Sequence, residues 1–169
     1  MIFVYSLGGS ILAGRDAESL KEYAQTLKEL AQEHQIYVVV GGGRIAREYI
    51  EKARALGASE MFCDQIGIGA TKLNSALLVA ALGDAAPQEI PDSYAGAARL
   101  AQKGRVVVMG GVAVGQTTDA VSALLAEYVH ADKIIERSSI PTAIVLGSKI
   151  ENLRKGALGG HTGTEIRSE

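Results

Sequence analysis

The fold is decided by the stretch Ile36-Tyr37-Val38-Val39-Val40-Gly41-Gly42-Gly43-Arg44-Ile45-Ala46-Arg47. Its β-branched and aromatic residues predict a strand buried on both faces. Three glycines without Cβ atoms let another group approach the backbone, and a helix after them presents free N–H groups and a partial positive charge. With the cations of Arg44 and Arg47 one turn apart, the stretch predicts an anion site, with phosphate as the favoured anion. The alternative is a tight strand-to-helix turn with two solvated arginines.

Two further glycine-rich segments also follow predicted strands. Leu7-Gly8-Gly9-Ser10 follows a strand over residues 2–6, and residues 110–119 follow a strand over residues 105–109. Helices are predicted near residues 16–34, 45–56, 61–82, 94–102 and 120–129, another strand at 142–146, and weaker elements at 149–158 (helix) and 164–166 (edge strand). This alternation predicts an α/β fold with a mostly parallel sheet covered on both faces. Ligands bind at the carboxyl ends of such strands, so the three loops are expected to converge on one crevice.

Helical spacing also predicts which side chains face the core and which residues cap the helices. Asp16 is the expected cap of the first long helix, and Thr118 or Asp119 of the helix after the third loop. Gly57 and Gly83 are expected to end two helices. The apolar face expected for the predicted helix at 45–56 consists of Ile45, Tyr49, Ile50, Ala53 and Leu56. The face expected to point inward in the predicted helix at 61–82 consists of Ile68, Leu73, Leu77 and Ala81.

Length, composition and charge limit the classes of protein to which the chain could belong. The chain has 169 residues, 47% of them hydrophobic, and a net charge of −2, which fits a single domain, residues 1–169, without a nucleic-acid partner. Cys63 is the only cysteine, so no intrachain disulfide is possible and a cytoplasmic location is expected. We expect no signal peptide, no membrane-spanning run and, because the three histidines are scattered, no protein-built metal site.

Sequence motifs limit the classes of phosphate-binding protein to which the chain could belong. No stretch matches G-x-x-x-x-G-K-[ST], which argues against a P-loop NTPase. Gly41, Gly43 and Ala46 fit the dinucleotide pattern G-x-G-x-x-A, but Glu60 lies at a helix approach and not at the end of a second strand. Asp64 could bind a sugar or be a solvated acid. Polar groups that could hold phosphate or ribose, or simply cap a helix, are Gln116, Thr117, Thr118 and Asp119.

Several motifs in order resemble one family. They are Gly8-Gly9-Ser10, Val38 to Tyr49, Asp64-Gln65-Ile66-Gly67-Ile68, Thr71-Lys72-Leu73-Asn74, Val108-Met109-Gly110-Gly111 and Gly115-Gln116-Thr117-Thr118-Asp119-Ala120-Val121. The chain is similar to the archaeal-type UMP kinases of the amino acid kinase family. The resemblance implies a three-layer α/β/α sandwich that transfers the γ-phosphoryl group of ATP to UMP with Mg²⁺ and gives UDP for pyrimidine biosynthesis. It also implies a homohexamer, held partly by helices near Tyr49 and Leu73.

The resemblance also implies residue roles. The ATP side would be formed by Gly9, Ser10, Gly43 and Arg47, and catalysis would involve Ser10, Arg47 and Asp119. The UMP side would be formed by Gly42, Asp64, Val112, Ala113, Val114, Gly115, Gln116, Thr117 and Thr118. Phosphoryl transfer needs mainly positioning and charge neutralisation, which these residue types can supply.

The sequence departs from the family pattern in three places. Ser6 stands where many members of the wider family carry a lysine, and Val112 and Val114 stand where the loop usually has threonine and proline. After Asp132 the family continues with a strand, an Asp-Gly-Val-Tyr-like loop and further helices that hold the adenosine of ATP, before a Lys-Ile-Ile-Glu-Arg-Ser helix. Here Lys133 follows Asp132 directly, so residues 1–132 form the UMP part and residues 133–169 a remnant of a shortened ATP part.

This gap leaves three functions open. The chain could be an active UMP kinase, a UMP- or phosphate-binding module impaired in catalysis by the loss of its adenosine site, or another member of the amino acid kinase family. The gap itself has two explanations, a shortened variant or a segment omitted from the sequence.

Overall fold

The computed structural model describes residues 1–13, 16–137 and 143–146, and its centre is a five-stranded sheet. The strands are β1 (Ile2–Leu7), β2 (Gln35–Val40), β3 (Val106–Met109), β4 (Lys133–Arg137) and β5 (Ala143–Leu146). Their order is β3-β2-β1-β4-β5; the first four run parallel and β5 pairs antiparallel with β4. The predicted mostly parallel sheet is therefore confirmed. The predicted elements at residues 149–158 and 164–166 lie outside the described residues.

Helices cover both faces of the sheet. They are α1 (Gly9–Ala13), α2 (Ala17–Glu33), α3 (Gly43–Ala55), α4 (Glu60–Leu82), α5 (Tyr94–Arg99) and α6 (Thr118–Tyr128), with a 3₁₀ turn at Gly83–Ala85. One core cluster joins β1, β2 and β3 to α2 and α4, and a second joins them to α5 and α6. The expected three-layer α/β/α sandwich is present.

Strand β2 lies inside the sheet, between β3 and β1, and its sequence suits that place. Val38 and Val40 point into the core under α2 and α4, whereas Tyr37 and Val39 point into the core under α5 and α6. All four side chains are buried, so an apolar residue is required at every position instead of every second one. Burial also raises the pKa of the Tyr37 phenol.

Local capping follows the sequence closely at two helices. The Asp16 carboxylate accepts a hydrogen bond of 2.8 Å from the Ser19 amide and caps α2, as predicted. Gly83 ends α4 with a φ of 56°, a conformation that L-residues with side chains rarely adopt. Helix α6 differs from the prediction, because Thr117 accepts from the Ala120 amide at 3.2 Å and is the cap. Thr118 and Asp119 therefore lie in the first turn of α6.

The orientation predicted for α4 is wrong. Leu73 and Leu77 are 62% and 47% exposed, and Ile68 and Ala81 are only half-buried. The buried side consists mainly of small, polar and aliphatic residues, namely Cys63, Ala70, Thr71, Asn74, Ser75, Leu78, Val79 and Leu82. Leucines lie on both sides of α4, and the small residues face the sheet where the backbone must approach closely. The spacing of apolar residues alone therefore predicted the wrong side of α4 to be buried.

The neighbouring helix α3 shows the same effect. Ala53 is buried and Ile45 and Ile50 are half-buried, but Tyr49 and Leu56 are 59% and 88% exposed. Together with the exposed Met61, Phe62, Leu73 and Leu77 of α4, Tyr49 and Leu56 form what we call the α3–α4 apolar surface.

The apolar character of α4 also meets the criterion for a membrane span. Residues Glu60–Ala85 are long and apolar enough to cross a bilayer by length and composition, contrary to the expectation that no run would be. The same criterion is met by core helices of soluble proteins. Here α4 packs against α2, α3, β2 and β3, and that packing accounts for its buried side.

Strand β4 is formed by Lys133–Arg137, a segment for which the resemblance implied a helix. Asp132 fixes its start: the Asp132 carboxylate accepts from the Ile2 amide at 2.7 Å, and the Asp132 amide donates to the Ile2 carbonyl at 2.9 Å. Lys133–Arg137 then runs beside β1, and Ile134 is buried in the core under α5 and α6. Two consecutive β-branched isoleucines suit this pairing.

Candidate phosphate site at the glycine loops

The three glycine loops follow β1, β2 and β3, which are adjacent in the sheet and parallel. We call them the first loop (residues 8–10), the second loop (residues 41–43) and the third loop (residues 110–118). Parallel strands bring their carboxyl ends to one edge, so the three loops share that edge. The expected convergence is confirmed by direct contacts between them.

The first and second loops touch through backbone atoms. A Cβ placed on Gly9 would lie 2.5 Å from the Gly43 amide nitrogen, and one placed on Gly43 would lie 2.6 Å from the Ser10 amide nitrogen. Gly43 also has a φ of 60°. Both positions therefore require glycine, and the reason is close approach between two loops. These contacts argue against the alternative of an isolated strand-to-helix turn, because such a turn would place no steric limit on a side chain at the position of Gly9.

The third loop completes the contact at Gly41. A Cβ on Gly41 would lie 3.0 Å from the Gly9 nitrogen and 3.4 Å from the Thr118 hydroxyl oxygen. Gly41 is thus the point where all three loops meet. Around it lie amide groups at the start of α3 and of α6, the backbone donors that anions bind at helix N-termini.

Helix α4 presents polar side chains to the second and third loops. The Asn74 amide donates to the Gly41 carbonyl at 2.8 Å and to the Gly42 carbonyl at 3.2 Å. The Thr71 hydroxyl accepts from the Gly111 amide at 2.7 Å and donates to the Ile68 carbonyl at 2.7 Å. Thr71 and Asn74 belong to one of the motifs that carry the family resemblance, but no role was predicted for either. The sequence signal that could have identified them is a pair of uncharged polar residues, three positions apart, in a largely apolar helix.

Asp64 lies one turn into the same helix and reaches the third loop. Its carboxylate accepts a hydrogen bond of 2.9 Å from the Gly115 amide, and its side chain is half-buried. The alternative of a freely solvated acid does not describe this geometry. Tyr94 on α5 holds the same loop from the other side, because its hydroxyl donates to the Gln116 side-chain oxygen at 3.2 Å. Burial raises the pKa of the Tyr94 phenol, which keeps this donor protonated at neutral pH.

The side-chain carboxyl groups of Asp119 and Glu136 lie near the C-terminal ends of strands β1 and β4. The buried Ser6 hydroxyl donates to Asp119 at 2.8 Å, and Ser6 is paired in register with Glu136 on β4. Burial, and secondarily the charge of Asp119, raises the pKa of the Glu136 carboxyl. Ser6 therefore orients Asp119, at a position where the resemblance implied a lysine in many members of the wider family.

The remaining predicted residues lie at or beside these contacts. Ser10 is exposed on α1, and Arg47 is exposed one turn into α3, with no ion pair among the described residues. In the third loop Val114 and Gly115 are exposed, whereas Val112, Ala113 and Gln116 are half-buried. Glu60 begins α4 and forms an ion pair of 2.7 Å with Arg54, so it has no place in a dinucleotide site.

Two shallow grooves lie elsewhere on the surface. The larger, about 670 Å³, is bordered by α2 and by Ala80 and Ala81 of α4. The smaller, about 260 Å³, lies along α2 near His34. Neither borders a glycine loop. Within residues 1–13, 16–137 and 143–146, no three His, Cys, Asp or Glu side chains are grouped as metal ligands.

The fold and the joined loops define the class of protein: an α/β protein whose three glycine loops meet at the carboxyl ends of parallel strands. The model of the amino acid kinase family matches residues 1–141. This chain belongs to the amino acid kinase family.

Relatives narrow the comparison further. The chain is 45% identical to a uridylate kinase of Methanothrix thermoacetophila in an alignment of 223 residues that covers 99% of this chain and all of that protein. Since 223 exceeds the 169 residues of this chain, the alignment contains an internal gap. The chain is also 51% identical to a uridylate kinase of Methanobrevibacter smithii over 141 residues, 83% of this chain and 63% of that protein.

Solved structures agree with these relatives. The uridylate kinase of Archaeoglobus fulgidus matches with a TM-score of 0.78 and 50% identity, over 83% of this chain and 64% of that one. An aspartate kinase from Synechocystis matches with a TM-score of 0.65 at 20% identity over 83% of this chain and 28% of that one, which supports the fold alone. The chain thus spans about three fifths of the length of several relatives that it matches.

Proposed function

We propose that this chain is a UMP kinase that transfers the γ-phosphoryl group of ATP to UMP and gives UDP. The observation that carries the proposal is the meeting of three glycine loops at Gly41, in a chain about half identical to uridylate kinases. Two phosphorylated substrates must be held with their reacting groups together, and three joined loops provide backbone donors for both.

The acceptor side is assigned to the second and third loops together with Asp64. UMP would bind at Gly42 and at the third-loop residues, and its ribose would bind to Asp64. Asp64 is supported by its half-buried position and its hydrogen bond to Gly115, which hold the carboxylate beside the loop. The third-loop residues assigned to the acceptor are Val112, Ala113, Val114, Gly115, Gln116, Thr117 and Thr118.

The donor side is assigned to Gly9, Ser10, Gly43 and Arg47. Gly9 and Gly43 are in contact, which supports a shared role at one phosphate group. Ser10, Arg47 and Asp119 are the proposed catalytic residues. A cation such as Arg47 stabilises charge that develops on transferring phosphoryl oxygens.

Magnesium is the expected companion of ATP. Mg²⁺ typically keeps several waters and binds through one or two carboxylates together with substrate phosphates. The oriented Asp119 carboxylate fits that donor set, and Ser6 holds it in place. The metal would neutralise phosphate charge, while the loops and Arg47 position the substrates.

The division of the chain follows from the same assignment. Residues 1–132 would form the acceptor part with the phosphate loops, and residues 133–169 a shortened donor part, all in a single domain. Support comes from the internal gap in the longest alignment and from the direct continuation of Asp132 into β4.

Assembly and location complete the proposal. We assign the chain to a cytoplasmic homohexamer in pyrimidine biosynthesis, without nucleic-acid or membrane partners. The α3–α4 apolar surface supports self-association, because exposed apolar side chains from two adjacent helices form one patch. Light scattering at micromolar concentration tests it, and a monomer would contradict it.

A coupled assay tests the activity on protein whose intact mass has been measured. UDP formation that requires UMP, ATP and Mg²⁺ together is the expected result. UMP binding without UDP formation at 17.7 kDa would instead identify a binding module with an impaired donor side. Absence of UMP binding, with turnover of another acceptor, would reassign the chain within the family.

A further inference from the structure

We propose that Thr71 and Asn74 are positioning residues that hold the second and third glycine loops in the geometry that binds the acceptor phosphate. The inference rests on the proposed function. It adds to the site two residues from the middle of α4, neither of which needs to touch a substrate.

Thr71 lies between the two loops. Its hydroxyl accepts from the Gly111 amide at 2.7 Å, and its methyl group would be 3.6 Å from a Cβ placed on Gly42. The third loop is so close that a Cβ on Gly110 would lie 2.5 Å from the Thr71 hydroxyl oxygen. Thr71 therefore fixes the distance between the loops through one side chain.

Asn74 fixes the second loop itself. Asn74 is 2% exposed, and its side-chain amide donates to the carbonyls of Gly41 and Gly42 at 2.8 and 3.2 Å. When these carbonyls are directed at α4, the peptide amide that follows each of them is turned away from α4. Leaving a buried carbonyl without a hydrogen-bond donor costs free energy, so the second loop would rearrange without Asn74.

Ser75 provides the matched comparison on the same helix. It is fully buried, like its neighbour Asn74, but its hydroxyl donates to the Thr71 carbonyl at 2.9 Å within α4 and makes no hydrogen bond to a loop. A purely structural role for polar residues in α4 predicts equal effects at positions 71, 74 and 75. A positioning role predicts effects on substrate binding at positions 71 and 74 only.

The test measures UMP affinity by calorimetry in the wild type and in Thr71→Ala, Thr71→Ser, Asn74→Ala and Ser75→Ala. Thr71→Ala and Asn74→Ala are each expected to weaken UMP binding about tenfold, the effect of a lost buried hydrogen bond. Thr71→Ser keeps the hydroxyl and should bind nearly as tightly as the wild type, and so should Ser75→Ala. Melting temperatures of all variants separate loss of binding from loss of folding.

Hydrogen exchange at the Gly111 amide provides a second readout that does not depend on activity. The amide should be protected in the wild type and in Ser75→Ala, and should exchange faster in Thr71→Ala. An unprotected Gly111 amide in the wild type would overturn the proposal even if every variant failed to fold.

The outcomes distinguish the two proposals. If the wild type binds no UMP, the proposed function fails. If the wild type binds UMP and folded Thr71→Ala and Asn74→Ala bind it equally well, the positioning role is wrong and the proposed function stands.

Discussion

The region up to Asp132 and the region from Lys133 to Leu146 use the same sheet in different ways. In the first, β1, β2 and β3 each end in a glycine loop, and the loops contact one another. In the second, β4 and β5 extend the sheet beyond β1, and β5 reverses the strand direction. The glycine loops thus all follow the strands β1, β2 and β3, and the last two described strands mainly complete the packing of the sheet.

This difference separates the expected roles of the two regions. The first region has the loops, the Asp64 carboxylate and the buried polar side of α4, which are the proposed parts of an acceptor site. The second adds Glu136 beside Asp119 and Ile134 to the core. Residues 133–137 therefore stabilise the site from one edge.

The largest expected effect concerns the donor side. Arg47→Ala should lower turnover by about 10²–10³-fold, because it removes a cation that stabilises transferring phosphoryl oxygens. UMP affinity should change little. Lys52→Ala, an exposed lysine on the same helix, is the control and should retain turnover. A coupled assay combined with calorimetry measures both quantities, and equal turnover in the two variants would remove Arg47 from the site.

The next effect concerns the acceptor side. Asp64→Ala should weaken UMP binding by about 1–3 kcal/mol, because a polar partner of the ribose is lost and the Gly115 amide loses its acceptor. Calorimetry with UMP measures this change. If wild type and variant bind with the same affinity, the ribose assignment is wrong.

A smaller effect compares the cores of the two regions directly. Ile36 in β2 and Ile134 in β4 are both fully buried, one in each core cluster. Ile36→Val and Ile134→Val should each lower the free energy of unfolding by about 0.5–1.5 kcal/mol. Urea unfolding measures both. A clear loss for Ile36→Val with none for Ile134→Val would show that β4 is not an integral strand of the core.

The smallest effect is a pH dependence at the edge where the two regions meet. Because the pKa of Glu136 is raised above 4.5 in the folded state, that state binds the proton more tightly than the unfolded chain. Stability from this group is present at low pH and is lost as pH rises through the raised pKa. Glu136→Gln should flatten this decline in unfolding experiments as the pH rises above 4.5. An unchanged slope would contradict the burial of Glu136 beside Asp119.

How much the sequence could predict depends on whether the signal is local. Strand β2 and its three glycines could be predicted from the sequence. A strand buried on both faces is marked by consecutive β-branched residues, and the close approach of Gly9 to the turn is marked by the glycines. The buried side of α4 was not, because small and polar residues such as Thr71 and Asn74 face the loops while Leu73 and Leu77 face outward. An apolar-periodicity argument cannot detect such a face.

The second region was harder for a different reason. Lys133–Arg137 becomes a strand through its pairing with β1 and the Asp132–Ile2 hydrogen bonds, which are far apart in sequence. A short segment with two isoleucines is compatible with a helix or a strand, and the tertiary partner decides. Likewise, Thr117, Thr118 and Asp119 were all plausible caps of α6, and only the backbone geometry selects Thr117.

The most direct measurement of the central claim is a pair of calorimetric titrations of the wild type, one with UMP and one with uridine. If the joined glycine loops form the acceptor phosphate site, UMP binds saturably with one molecule per chain and uridine binds far more weakly. Equal affinity for UMP and uridine, or no binding of either, would contradict the assignment of the second and third loops to the acceptor phosphate.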